Sequence, residues 1–184
     1  MPPIPADLMT PAQRDASERV SSGPRGGLYG PFVPLLRAPG LMDRLQAVGS
    51  FLRYHGTLPR DAFELTVLIV ARAWDQQFEW THHHPLAVAA GISEASLDAI
   101  AHGQTPPGLT ATQSDAYSLV TDLLRNRAVS DEIWAAAVTR FGEEGVIEMV
   151  SAVGYYSTLA MIMNAARTPV SADASPLLPA LDRR

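Results

Sequence analysis

The chain of 184 residues contains no cysteine, which excludes a disulfide framework, a thiolate metal site and every thiol-based redox mechanism. Charge is also scarce, at 18% of residues against 47% hydrophobic. So apolar a composition leaves helix faces to cover, and assembly of several copies is one way to cover them. The formal net charge is −5 and the arginines form no run, so a nucleic-acid partner, which calls for a basic face or stripe, is not expected. No apolar run approaches the roughly 20 residues that cross a bilayer. The opening Met1-Pro2-Pro3-Ile4-Pro5-Ala6-Asp7 lacks the basic and apolar regions of a secretion signal. These absences together predict a cytoplasmic protein with no membrane partner.

Strand-like alternation is missing too, and the predicted fold class is all-α. Residues 1–30 read as an arm with one short helix, Pro11 to Ser21, where Thr10 caps, Pro11 takes the first position and Gln13 completes the capping pattern. Residues 31–166 form the helical body, and residues 167–184 a flexible tail without periodicity. The body opens with a short turn or helix from Phe32 to Arg37, closed by Pro39. A helix from Leu41 to Tyr54 follows, with Leu41, Leu45, Val48, Phe51 and Leu52 close to amphipathic spacing. Pro59 to Trp74 is apolar on nearly all sides and belongs in a core. Gln76 to Ala90 is followed by Gly91, suited to a left-handed position after the last turn. Ser93 caps a short helix ending near Gly103, Thr110 with Gln113 starts one to Arg127, and Ser130 caps one ending at Phe141-Gly142. The last helix, Glu143 to Ala166, carries a broad apolar stripe that includes Val150, Val153, Tyr156 and Leu159.

Against this plain background stands Glu79-Trp80-Thr81-His82-His83-His84-Pro85. On a helix Glu79 can meet both His82 and His83, whereas His82 and His84 diverge by about 200°, so the three imidazoles cannot serve one centre. His83 with Glu79 is the better acid/base pair, because a carboxylate fixes the tautomer of an imidazole or raises its pKa. A solvated helix face is the bland alternative. Pro85 lacks the donor that would bond the Thr81 carbonyl and is expected to bend or loosen the helix. Glu79-x-x-His82 has the spacing of di-iron bundles, but there is no second copy, and His55 and His102 fall in loops or at helix ends; no metal site is expected. Glu64 lies on the apolar helix. It either serves the helix N-terminus or is drawn inward and needs a partner, for which Arg72 is a candidate.

Two segments carry a resemblance: Leu58-Pro59-Arg60-Asp61-Ala62-Phe63-Glu64-Leu65, and Phe78 through Ser93 with its Glu-Trp-x-x-His pattern followed by Ala and by Ala-Gly-Ile-Ser. Over residues 30–165 the chain resembles the carboxymuconolactone decarboxylase family, which includes the alkylhydroperoxidase D proteins, and it looks like the Cys-free branch. The resemblance implies an alkylhydroperoxidase D-like helical bundle that assembles as a trimer or hexamer. In the family's peroxidase branch a Glu precedes a Cys-x-x-Cys pair and a His. Counting back from Gly91 places that His on His83, the second Cys on Glu79, the first on Gln76 and the distant Glu on Glu64. With both thiols absent, thiol peroxidase chemistry is excluded.

What the resemblance implies instead is decarboxylation without a cofactor, acting on a small anionic organic substrate such as 4-carboxymuconolactone. Loss of CO2 leaves a dienolate that must gain a proton at its α carbon; His83 would supply or relay it, Glu79 orient and tune the imidazole, and Glu64 complete the relay. An anion calls for an arginine, and Arg37, Arg53 and Arg72 are the candidates, with Trp80 and His82 as further binding residues. The alternatives are a lyase or isomerase acting on another small acid, and a non-catalytic helical binding or scaffold protein.

Overall fold

The most apolar segment becomes the axis of the fold. In a computed structural model that describes residues 1–23 and 26–181, helix α4 (Arg60–Ala73) has every side chain from Ala62 to Arg72 buried. Leu65, Val67, Leu68 and Val70 are wholly inaccessible to solvent, each contributing about 1.5–3 kcal/mol of transfer free energy. Helices α5 (Gln77–Ala89), α7 (Ala111–Asn126) and α8 (Asp131–Ala166) surround it, and α6 (Glu94–Ala101) touches it at one end. The first three helices lie outside this group: α1 (Pro11–Ser21) rests on α3 (Pro39–Tyr54), while α2 (Phe32–Leu35) and α3 lean on α8. All regular elements among the described residues are helical, as the sequence predicts.

Helix starts are set by local chemistry. Thr10 and Thr110 each accept a bond from the backbone N–H three residues on, and Gln13 and Gln113 bond back to them, which completes two capping boxes. Gln113 also donates to Asp61 Oδ2 while Asp61 Oδ1 accepts from Ala62 N, so the N-termini of α4 and α7 are tied together. Gly142, at φ 69° and ψ 169°, breaks α8 where two helices are expected. The part beyond it is long and apolar enough to pass for a bilayer segment, which the sequence reading does not anticipate, but more than half of that window is buried within the fold.

Helix α5 runs through Pro85 without interruption. Of the apolar residues spaced along α3, Leu52 is buried and Leu45 packs on the core, while Leu41, Val48 and Phe51 are exposed; Met42 and Gly49 complete the buried side. Within the tail, Leu178 and Pro179 are held to the body. Leu178 is buried, its N–H donates to Gln77 Oε1, and Gln77 Nε2 donates back to its carbonyl, both at 2.9 Å. Arg72 adds a second tether by donating to the carbonyls of Ala101 and Pro179 at 2.8 Å.

Candidate functional site

Helix α4 turns into α5 within three residues, Asp75 taking a left-handed φ of 52° and Gln76 N donating to the Ala71 carbonyl. Gln76 then caps α5 through its side-chain oxygen and reaches Asn164 of α8 with its amide nitrogen. So tight a hairpin lays α5 along α4, and it brings together Glu64 and His83, which are 19 residues apart.

His83 Nδ1 lies 2.6 Å from Glu64 Oε2, with both side chains buried. A carboxylate oxygen only accepts, so Nδ1 carries the proton and donates, and Nε2 remains as the free acceptor; this tautomer is assigned from the contact. On the other side of Glu64, Arg60 Nη2 comes within 2.6 Å of Oε1, close enough for an ion pair although Oε1 receives no well-aligned hydrogen bond. An Arg60–Glu64–His83 chain results. Burial pushes the His83 pKa below its ordinary value; the hydrogen bond and charge of Glu64 oppose this, while Arg53 and Arg60 add to it. Such an imidazole is neutral near pH 7.

Glu79 is close by but does not bond His83. Both its oxygens are buried and find no hydrogen-bond partner among the described residues, and desolvation raises its pKa well above the ordinary carboxylate value. Desolvation of this kind favours the protonated form of the carboxyl over the charged one. The acid/base pairing of His83 with Glu79 is therefore corrected: they line one cavity as separate groups, and the imidazole belongs to Glu64.

That cavity holds about 30 Å3 and is walled by Arg53 of α3, Glu79, His82 and His83 of α5, Tyr156 and Leu159 of α8, and Tyr29 and Phe32 from the segment before and into α2. Arg53 donates from Nη2 to His82 Nε2 at 3.3 Å, and its Nε is buried without a partner. Arginine has no acceptor, so His82 Nε2 accepts in this contact. Its ring lies parallel to Phe78, with centroids 5.9 Å apart. Tyr156 meets His83 edge-on at 5.2 Å and fixes the ring from the α8 side. The guanidinium groups of Arg53 and Arg60 stand near the cavity beside Glu64, and burial disfavours the charged form of Glu79. The balance favours an anion.

The remaining predicted residues lie elsewhere. Arg72 pairs with Asp75 rather than Glu64 and borders a different hollow, between α4, α6 and α7. Arg37 is exposed and bonds the Val33 and Pro2 carbonyls. Trp80 is buried away from this cavity, where it and His84 line a crevice under the C-terminal tail. His84 is buried there, 3.4 Å from Glu94. Among the described residues no three His, Asp or Glu side chains are grouped to hold a metal ion. Sequence reasoning overlooks Arg60, although its spacing of four residues before Glu64 on a helix is a legible signal. Tyr156 and Tyr29 offer no such signal, one hidden in an apolar stripe and the other in an irregular segment. A scan against protein-family models and a search of curated proteins both return no match for this chain.

Proposed function

We propose that the chain is a cofactor-free proton-transfer enzyme acting on a small organic anion, of the carboxymuconolactone decarboxylase type that its sequence resembles. One observation carries this reading. A carboxyl pushed toward its protonated form, Glu79, and an imidazole pushed toward its neutral form, His83, line one cavity beside the unpartnered guanidinium nitrogen of Arg53. An acid and a base whose environments displace their pKa values in the directions needed at neutral pH are the usual equipment for general acid–base chemistry.

In a decarboxylation, Arg53 orients the substrate anion at the cavity mouth. The bond to the departing carboxylate breaks, its electron pair moves into the conjugated lactone as a dienolate, and CO2 leaves. The Glu79 carboxyl then gives its proton to the α carbon, and His83 Nε2 relays a proton from water to restore it. Glu64 holds the imidazole in its tautomer, and Arg60 holds Glu64. The same set serves a lyase or isomerase acting on another small acid, because each step needs only a proton donor, an acceptor and an anchor. Turnover of 4-carboxymuconolactone by wild type, His83→Ala and Glu79→Gln tests the reading. Activity in wild type that both variants lose supports it; a folded but inactive wild type rejects this substrate.

Self-association belongs to the same proposal. Val48 and Phe51 of α3 and Ile147 of α8 are exposed and line an open, mainly apolar groove with Ala47, Leu52, Glu148 and Ser151, and Leu41 of α3 is exposed as well. A contiguous apolar face of this kind is a common site of subunit contact. Sedimentation of wild type as a trimer or hexamer, reduced to monomer by Phe51→Glu, is the expected result; a monomeric wild type rejects it.

A further inference from the structure

At about 30 Å3 the cavity has room for about two water molecules. A ring-sized acid enters only if part of the wall gives way. Most of that wall stands on long helices: Arg53, Glu79, His82, His83, Tyr156 and Leu159 belong to helices of 13 residues or more. The Tyr29 and Gly30 carbonyls, by contrast, accept backbone bonds from the amides of Phe32 and Val33 in the short α2. Tyr29 differs, because it belongs to the irregular stretch ahead of α2 and lies between Gly26 and Gly30, both at positive φ, 73° and 56°. Backbone of this kind opens at lower free energy than a packed helix. The Tyr29 ring is 5.8 Å from His82 and 6.3 Å from Phe78, so it covers the imidazole face of the cavity. Gly30 seats it: a Cβ at that position would fall 2.2 Å from Phe78 Cε1, so only glycine lets the backbone lie on the ring.

We infer that the Tyr29–Gly30 segment is a movable roof over the cavity, with Tyr29 as the residue that limits what reaches His83. The inference rests on the proton-transfer reading only in taking this cavity as the binding site.

Carbethoxylation of histidines by diethyl pyrocarbonate, followed by peptide mass spectrometry, tests it without any substrate. In wild type the exposed His55 and His102 label quickly, and His83 is protected. Tyr29→Ala removes the roof, and labelling of His83 is expected to rise at least about tenfold. His84 is the internal control: it is buried on the same helix beside a different crevice, and its rate stays unchanged. Gly30→Ala is the second variant, in case the first fails to fold; its Cβ displaces either the arm or Phe78. A selective rise at His83 in either variant supports the roof. Unchanged labelling of His83 in the folded variants, or a parallel rise at His84, overturns it. Neither labelling result depends on turnover, so rejection of the substrate leaves this test intact.

Discussion

Helix α5 supplies the histidine of two Glu/His couples, one completed by α4 and the other by α6, and they differ in nearly everything except residue type. In the first, His83 meets Glu64 at 2.6 Å with both groups buried, and Arg60 backs the carboxylate. In the second, His84 meets Glu94 at 3.4 Å, and the side chain of Glu94 is 72% exposed. Burial lowers the pKa of both imidazoles, so a shifted histidine does not by itself distinguish a site from a packed surface. What distinguishes them is the surroundings: His83 shares its cavity with an unpartnered carboxyl and a guanidinium, while His84 looks onto a crevice with acidic groups and the tail.

The largest test of this contrast is activity. His83→Ala should lower turnover of 4-carboxymuconolactone by about 10²–10⁴, the usual share of a general acid or base, while His84→Ala leaves it unchanged; equal losses would erase the distinction. Stability gives the next effect. Glu64→Ala strips the buried Nδ1–H of its acceptor and should cost about 1–3 kcal/mol in urea unfolding, whereas Glu94→Ala, acting on a half-solvated pair, should stay within about 1 kcal/mol.

The smallest effect is a pH dependence. The raised pKa of Glu79 means the folded protein retains a proton that the unfolded chain has released above pH 4.5. Stability is therefore lost as pH rises from there through the folded pKa. His83 and His84, with lowered pKa values, act oppositely, and their penalty fades as pH rises toward 6.5. Glu79→Gln should thus be more stable than wild type near neutral pH, with the advantage shrinking toward pH 4.5. Chemical denaturation across that range checks it, and a constant difference would refute the buried, protonated carboxyl.

How much of this was legible beforehand varies with the range of the interaction. Helix α1, with its Thr10 and Gln13 cap, has the bounds expected of it, because capping is settled within four residues. The apolar face of α3 is legible; its covering is not. Spacing shows which residues are apolar together, but not whether another helix of the same chain covers them, and Val48 and Phe51 remain outside. At the site, helical geometry correctly put Glu79 and His83 on neighbouring positions of one face. It could not show that the α4–α5 hairpin would offer His83 a better acceptor in Glu64.

The sequence by itself determined the chemical inventory: no thiol, one cluster of imidazoles, and carboxylates and arginines close enough along the chain to share helices. It also determined the helices, because apolar periodicity and caps are local. Only the tertiary structure decided which carboxylate is the partner of His83 and which is pushed toward its protonated form. Both outcomes depend on desolvation and on contacts between residues distant in the chain, and neither is present until the helices pack.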